Sequence, residues 1–85
     1  MTAFKNQDEA VSNVIELYRG KDYSEPVLTA LKELLVKKIN ESLHYDELAV
    51  YFDARLQAHG VHYDTANVYL LMMNALLSFS EYCNE

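Results

Sequence analysis

Apolar residues recur along the chain at the spacing expected for one face of a helix. Two such sets are Val11, Val14, Ile15 and Tyr18 in the first segment, and Leu28, Leu31, Leu35 and Ile39 in the second. Only two glycines and one proline interrupt the 85 residues, which disfavours a sheet of short strands. The pattern predicts an all-α fold: a compact antiparallel bundle of about four helices, approximately at residues 6–19, 24–42, 46–59 and 64–83.

Residues that favour helix ends set these bounds. Asn6 is a candidate cap for the first helix, and Gly20 can end it in the left-handed conformation. Ser24, two residues before Pro26, is a typical beginning for the second helix. Gly60 is predicted to end the third helix, and the short link after it folds the fourth helix back antiparallel.

The third and fourth helices begin with the same sequence pattern. His44-Tyr45-Asp46 is followed by Val50-Tyr51, and His62-Tyr63-Asp64 is followed by Val68-Tyr69. We predict that the two aspartates are the N-caps. The tyrosine before each cap and the valine at the fourth helical position are then the partners of a hydrophobic staple. Tyr23, Ser24 and Leu28 repeat this arrangement in the second helix.

The fourth helix is apolar on nearly all sides. Its apolar residues are Val68, Tyr69, Leu70, Leu71, Met72, Met73, Ala75, Leu76, Leu77 and Phe79. Such a helix is either the centre of a bundle or has one face covered by a partner. A chain of this size can hardly cover all of it.

Composition is that of one small folded domain, residues 1–85, with 51% apolar residues. Cys83 is the only cysteine, and the N-terminus does not have the order of a signal peptide, so we expect a reducing, cytoplasmic location. The longest nearly uninterrupted apolar stretch, residues 68–77 with Asn74 inside it, is too short for a bilayer span, which needs about 20 residues. We therefore expect no membrane span.

Charge divides the chain into two halves. Residues 1–40 contain six basic and six acidic residues, whereas residues 41–85 contain one base, Arg55, and seven acids, and so carry the whole net charge of -6. Nucleic-acid binding requires the opposite sign, so we expect no direct contact with DNA or RNA. An anionic surface instead attracts another protein with a basic surface.

Tyrosines lie among these acids, and tyrosine is enriched in protein interfaces. The candidate partner-binding residues are Tyr45, Asp46, Glu47, Tyr51, Asp53, Tyr63, Asp64 and Tyr69. An alternative explanation is local, because acids at helix N-termini are favoured by the helix dipole and the tyrosines before the caps can be staples alone. Tyr51 and Asp53 discriminate best, since neither is needed for a cap.

Catalytic and metal-binding patterns are weak. The sequence has no Gly-rich phosphate loop, nucleophile elbow or H-E-x-x-H motif. His59 and His62 form one loose pair, whereas zinc needs about four ligands. Cys83 is interpreted as a small core or boundary residue rather than a nucleophile. We expect no enzyme activity, no cofactor and no metal site.

Two dipeptides resemble a known family. Leu17-Tyr18 in the first helix and Arg55-Leu56 in the third resemble the pattern of helical immunity proteins against pediocin-like or enterocin-like bacteriocins. That resemblance implies an antiparallel four-helix bundle of similar size. The segment after Arg55 is shorter and the balance of charge more acidic than in that group, and two dipeptides do not assign the chain to it.

The leading hypothesis is a small acidic helical adaptor or inhibitor, immunity-like or antitoxin-like, that docks the acidic, tyrosine-bearing face on a basic surface of another protein. A second hypothesis is a self-associating structural or regulatory homodimer that uses the apolar fourth helix. A third is a nucleic-acid mimic, whose carboxylates replace phosphates against a DNA-binding protein.

Overall fold

Helices form where the sequence has helical apolar spacing with no glycine inside it, and Pro26 lies in the first turn of α2, where a proline is tolerated. The structure, a computed structural model, describes the backbone of residues 3–84 and the side chains of residues 7–84. In this part of the chain the helices are α1 (Ala3–Arg19), α2 (Glu25–Asn40), α3 (Tyr45–Ala58) and α4 (Thr65–Cys83). The predicted all-α fold is confirmed, and no strand occurs in residues 3–84.

The four helices contact one another in a ring, α1 with α2, α2 with α3, α3 with α4 and α4 with α1, and α2 also packs across the ring against α4. Each helix buries its apolar face in the shared core. The largest fully buried side chains are Phe52, Leu31, Leu34, Leu35, Leu48, Leu56, Met72, Val14, Val27 and Val68. The predicted faces of the first two helices lie in this core, with Ile15 and Ile39 at its edge.

The first helix begins earlier than its predicted cap. α1 starts at Ala3, so Asn6 lies within the helix and the prediction that it is the N-cap is wrong. The Asn6 side chain is outside the described residues. Ala3, Phe4 and Lys5 include neither glycine nor proline, so nothing in the sequence prevents the helix from extending through them.

The end of α3 follows the prediction for Gly60. Gly60 has φ of 82°. The Val61 amide donates to the Leu56 carbonyl at 2.8 Å, and the Gly60 amide donates to the Gln57 carbonyl at 3.0 Å. These two bonds define a Schellman motif, in which the left-handed residue favours glycine.

The end of α1 has the same motif but without glycine at its centre. Asp22, not Gly20, takes the left-handed conformation, with φ of 67°. The Tyr23 amide donates to the Tyr18 carbonyl at 3.3 Å and the Asp22 amide to the Arg19 carbonyl at 3.1 Å. The prediction for Gly20 is therefore wrong by two residues. Helical winding continues past Arg19, and aspartate is among the residues that tolerate this backbone region.

α4 packs against the bundle with one face only. Its buried residues are Val68, Leu71, Met72, Ala75, Leu76 and Phe79. On the opposite face Leu70 and Leu77 are exposed by 61% and 60%, and Met73 by 40%. The apolar residues of α4 are therefore divided between a buried face in the core and a face exposed to solvent. None of the helices described meets the length and apolarity that a bilayer crossing requires.

Candidate functional site

The candidate site begins where α3 and α4 start, and the two starts differ. In α4 the N-cap is Asp64, whose Oδ1 accepts a hydrogen bond from the Asn67 amide at 2.8 Å. This confirms the predicted cap. In α3 the N-cap is His44, so the prediction that Asp46 is the cap is wrong, and Asp46 occupies the second helical position.

The two helix starts differ because different residues stand three positions after His44 and after His62. Glu47 follows His44 at that spacing, and its Oε1 accepts a hydrogen bond from the His44 amide at 3.0 Å. A glutamate at the third helical position that reaches back in this way fixes the start of a helix. Thr65 occupies the matching place after His62 and has no carboxylate, so the cap of α4 falls at Asp64.

The predicted staple in α3 is wrong for the same reason. Tyr45 is exposed, and Val50 is 73% exposed. With His44 as cap, the staple positions belong to Leu43, which packs at the edge of the core, and Leu48, which is fully buried. In α4 Asp64 is the cap, so Tyr63 and Val68 occupy the staple positions; Val68 is buried, whereas Tyr63 is 36% exposed.

A groove lies between α3 and α4 and brings together three of the predicted site residues. We call it the α3–α4 groove. It has a volume of about 240 Å³ and is lined by Asp46, Ala49, Val50, Asp53, Thr65, Val68 and Tyr69. Its lining combines apolar side chains with two carboxylates. No ion pair between described residues involves Asp46 or Asp53.

Tyr69 connects the two helices across the α3–α4 groove. Its hydroxyl donates a hydrogen bond to Oδ1 of Asp46. This bond raises the pKa of Tyr69, with a smaller contribution from burial, because loss of the phenol proton would leave two anions in contact. Asp53 accepts a hydrogen bond from the Gln57 side chain at 3.0 Å. Both carboxylates keep lone pairs for a further donor.

Tyr51 lies away from the α3–α4 groove, on the side of α3 that faces α2. The Lys37 ammonium is 5.0 Å from the centre of the Tyr51 ring. Lys37 also pairs with Glu41, and this hydrogen bond raises the pKa of Lys37. A lysine from the neutral half of the sequence therefore covers one of the predicted site residues. Tyr51 and Asp53, both proposed as discriminating residues, do not share one surface.

The single base of the acidic half is also paired with the other half. Arg55 donates to both carboxylate oxygens of Glu33, at 3.0 and 3.1 Å, and Nε2 of His59 lies 3.0 Å from Glu33 Oε1. Contact with Arg55 lowers the pKa of Glu33. The interface of α2 and α3 is therefore charge-compensated, which leaves the uncompensated carboxylates of the site on the side of α4.

Tyr63 lies in a third place, a cleft between α1 and α4 of about 430 Å³. Tyr18, Tyr23 and Leu70 also line this cleft, and Lys21 lies 5.3 Å from the Tyr18 ring centre. The eight predicted site residues are therefore distributed over several surfaces. Glu47 and Asp64 have capping roles, whereas Asp46, Asp53 and Tyr69 meet in the α3–α4 groove.

Sequence reasoning missed the importance of Val50, which it assigned to a staple. The signal was present, because Leu48, Phe52 and Leu56 recur at i, i+4 and i+8 and are all buried. Val50 is two residues after Leu48, about 200° around a helix with 3.6 residues per turn. That phase places Val50 outside the core.

The remaining chemistry is limited. Burial raises the pKa of the Cys83 thiol, which keeps it protonated at neutral pH. Within residues 7–84, whose side chains the structure describes, no three side chains of His, Cys, Asp or Glu are grouped closely enough to hold a metal ion. Comparison of the chain with protein-family models, curated proteins and solved structures gives no significant match. Function is therefore argued from the surfaces themselves.

Proposed function

We propose that this protein is a small helical protein-binding module that acts as an inhibitor or adaptor, and that its docking surface is the α3–α4 groove. The partner is another protein that offers a basic segment. The observation that carries the proposal is the position of Val50. This α3 side chain is 73% exposed and lines the same groove as Asp46 and Asp53.

The chemistry of the α3–α4 groove fits an arginine or lysine side chain. Such a side chain has an apolar stem and a charged end, and it can lay the stem along an apolar surface while the charge meets a carboxylate. Ala49 and Val50 provide the apolar surface, and Asp46 and Asp53 provide two acceptors. An acidic chain also accelerates the approach of a basic partner, and this effect weakens as salt rises.

The proposal is tested with peptides selected from a random phage-displayed library on the immobilised wild-type chain. We expect selected peptides to be enriched in Arg or Lys next to apolar residues. Binding of one selected peptide is then measured for the Asp46→Asn/Asp53→Asn variant. We expect its affinity to fall about ten-fold, because the basic side chain loses both charged acceptors in the groove.

The matched control is Asp8→Asn/Glu9→Gln, which removes two exposed carboxylates from α1 and gives the same net charge. Its affinity should stay within about two-fold of wild type, because distant charges act mainly through the screened long-range field. Equal losses in both variants, or peptides without basic residues, would contradict the proposal. Amide and methyl NMR shifts that change around Val50 on peptide addition would support it.

A further inference from the structure

The solvent-facing side of α4 has an apolar stripe that the described residues leave exposed, and two of its members, Leu70 and Leu77, also border the cleft between α1 and α4. We call Leu70, Met73 and Leu77 the α4 stripe. Each is at least 40% exposed, although the other side of the same helix is packed into the core. Exposed apolar side chains scattered singly are normal in folded proteins, whereas aligned ones mark an interaction surface.

The spacing of the α4 stripe is that of a helix-pairing seam. Ala66, Leu70, Met73 and Leu77 follow one another at intervals of four, three and four residues. This is the a/d pattern of a heptad repeat, which packs along the length of a second helix. The core-facing side of α4 already contacts α1, α2 and α3, and the seam lies on its outer side, at the border of the α1–α4 cleft.

The charge of α4 indicates what can cover this seam. Residues 65–80 contain no Asp, Glu, Lys or Arg, in a chain whose net charge is -6. A basic partner would find no carboxylate along the seam, whereas two copies of this chain can meet there without direct repulsion. Glu81 is the only charged residue in α4, and an antiparallel arrangement keeps the two copies of it at opposite ends.

From these observations we propose that α4 pairs with α4 of a second copy of this chain, antiparallel and across a two-fold axis. Such a contact is self-complementary, as two-fold interfaces require. With the axis between Leu70 and Met73, Leu70 of one copy lies opposite Met73 of the other, and Ala66 lies opposite Leu77. The interface uses none of the carboxylates of the α3–α4 groove and does not depend on the proposed function.

The length and width of α4 limit the contact to a small area. α4 has 19 residues, so it is about 28 Å long, and one side of a helix is about 10 Å wide. A contact of these dimensions is smaller than the interfaces of stable complexes and belongs with transient ones. We expect a dissociation constant on the order of tens of micromolar, because a small apolar contact must offset the entropy of association.

Sedimentation equilibrium of the full chain tests the proposal. Wild type should be monomeric at about 1 μM and mostly dimeric at about 1 mM, as for a transient interface. The Leu70→Glu/Leu77→Glu variant should remain monomeric throughout. The matched control, Val36→Glu/Val50→Glu, introduces the same charges at two other exposed aliphatic positions and should dimerise within about three-fold of wild type, because its charges lie off the seam.

A mixing experiment tests the face-to-face arrangement. The Leu70→Lys/Leu77→Lys variant should be monomeric alone, as should the glutamate variant, but their mixture should form a one-to-one dimer at low salt. Circular dichroism confirms that each variant is folded. If a charged variant loses helicity, Leu70→Ser/Leu77→Ser replaces it and should weaken the dimer at least about ten-fold.

Three results would overturn the proposal. The first is a wild-type monomer at about 1 mM, well above the constant expected for a transient contact. The second is a Leu70/Leu77 variant that dimerises like wild type. The third is a mixture of folded glutamate and lysine variants that stays monomeric. Because the Val36→Glu/Val50→Glu control alters the α3–α4 groove and the stripe variants do not, peptide binding and dimerisation can fail independently.

Discussion

The segments that begin α3 and α4 share the letters His-Tyr-Asp and Val-Tyr at the same spacing, yet they place their valines on opposite sides. Val50 is 73% exposed and lines the α3–α4 groove, whereas Val68 is 1% exposed and belongs to the core. α3 begins at Tyr45 and α4 at Thr65. Relative to the shared letters, the helix starts differ by two residues.

A difference of two residues corresponds to a rotation of about 200° around a helix. The residue that sets the difference is Glu47, which binds the His44 amide, while Thr65 in the second segment leaves the cap to Asp64. Similar local sequence therefore does not imply similar burial. The residues that satisfy the first free amides decide the register, and the register decides which side chains are left for a partner.

The largest expected effect comes from truncating the two valines. Val68→Ala should lower the free energy of unfolding by about 2 kcal/mol, because it removes buried methyl groups and leaves a cavity. Val50→Ala should change it by no more than about 0.5 kcal/mol, because that side chain is already in solvent. Chemical denaturation of both variants measures the difference. Equal losses would show that the two valines are buried alike.

A smaller effect is expected for the two aspartates. Asp64→Ala removes the acceptor for the Asn67 amide and should destabilise the protein by about 1 kcal/mol. Asp46→Ala should cost only a few tenths of a kcal/mol, because it removes one acid from the first turn of α3 and one exposed hydrogen bond with Tyr69. Thermal unfolding of both variants at neutral pH checks this order. The reverse order would restore Asp46 as the cap.

The smallest effect concerns the hydrogen bond between Tyr69, in the second segment, and Asp46, in the first. The hydrogen bond to Asp46 raises the pKa of Tyr69 above its ordinary value of 10.0. The contribution of this hydrogen bond to the free energy of unfolding is therefore fully present below pH 10.0 and is lost as the pH rises through the raised pKa of Tyr69. In an NMR titration of the Tyr69 ring, Asp46→Ala should move the pKa of Tyr69 down toward 10.0.

The control for this titration is Asp53→Ala, which removes a neighbouring carboxylate that does not contact the Tyr69 hydroxyl. It should leave the Tyr69 titration largely unchanged. Identical shifts in the two variants would indicate a general field of negative charge rather than one hydrogen bond.

Local signals predicted much of the fold. The number and approximate bounds of the helices followed from apolar spacing, and the roles of Gly60 and Asp64 followed from backbone geometry and capping. Where two local candidates compete, the pattern alone did not decide. His44 and Glu47 prevailed over Asp46, and Asp22 took the backbone conformation expected for Gly20.

The candidate site was less predictable because it depends on contacts between helices. Charge counts along the sequence cannot show that Lys37 lies over Tyr51 or that Arg55 binds Glu33, since these partners are distant in the chain. Asp46 and Tyr69 meet only because α3 and α4 pack side by side. The helical periodicity of α3 predicts that Val50 is exposed to solvent, but it does not predict that Val50 lies beside Asp46 and Tyr69.

The contact of Arg55 and His59 with Glu33 constrains how α2 and α3 can slide past each other. Arg55 and His59 are one helical turn apart, and both reach the same carboxylate, at distances of 3.0 to 3.1 Å. Apolar ridges are similar from one turn to the next, so burial alone distinguishes poorly between neighbouring alignments. A slip of one turn, about 5.4 Å, would separate Glu33 from at least one of these two groups. This polar contact therefore favours one alignment of α2 against α3, which burial of the apolar ridges alone would not specify.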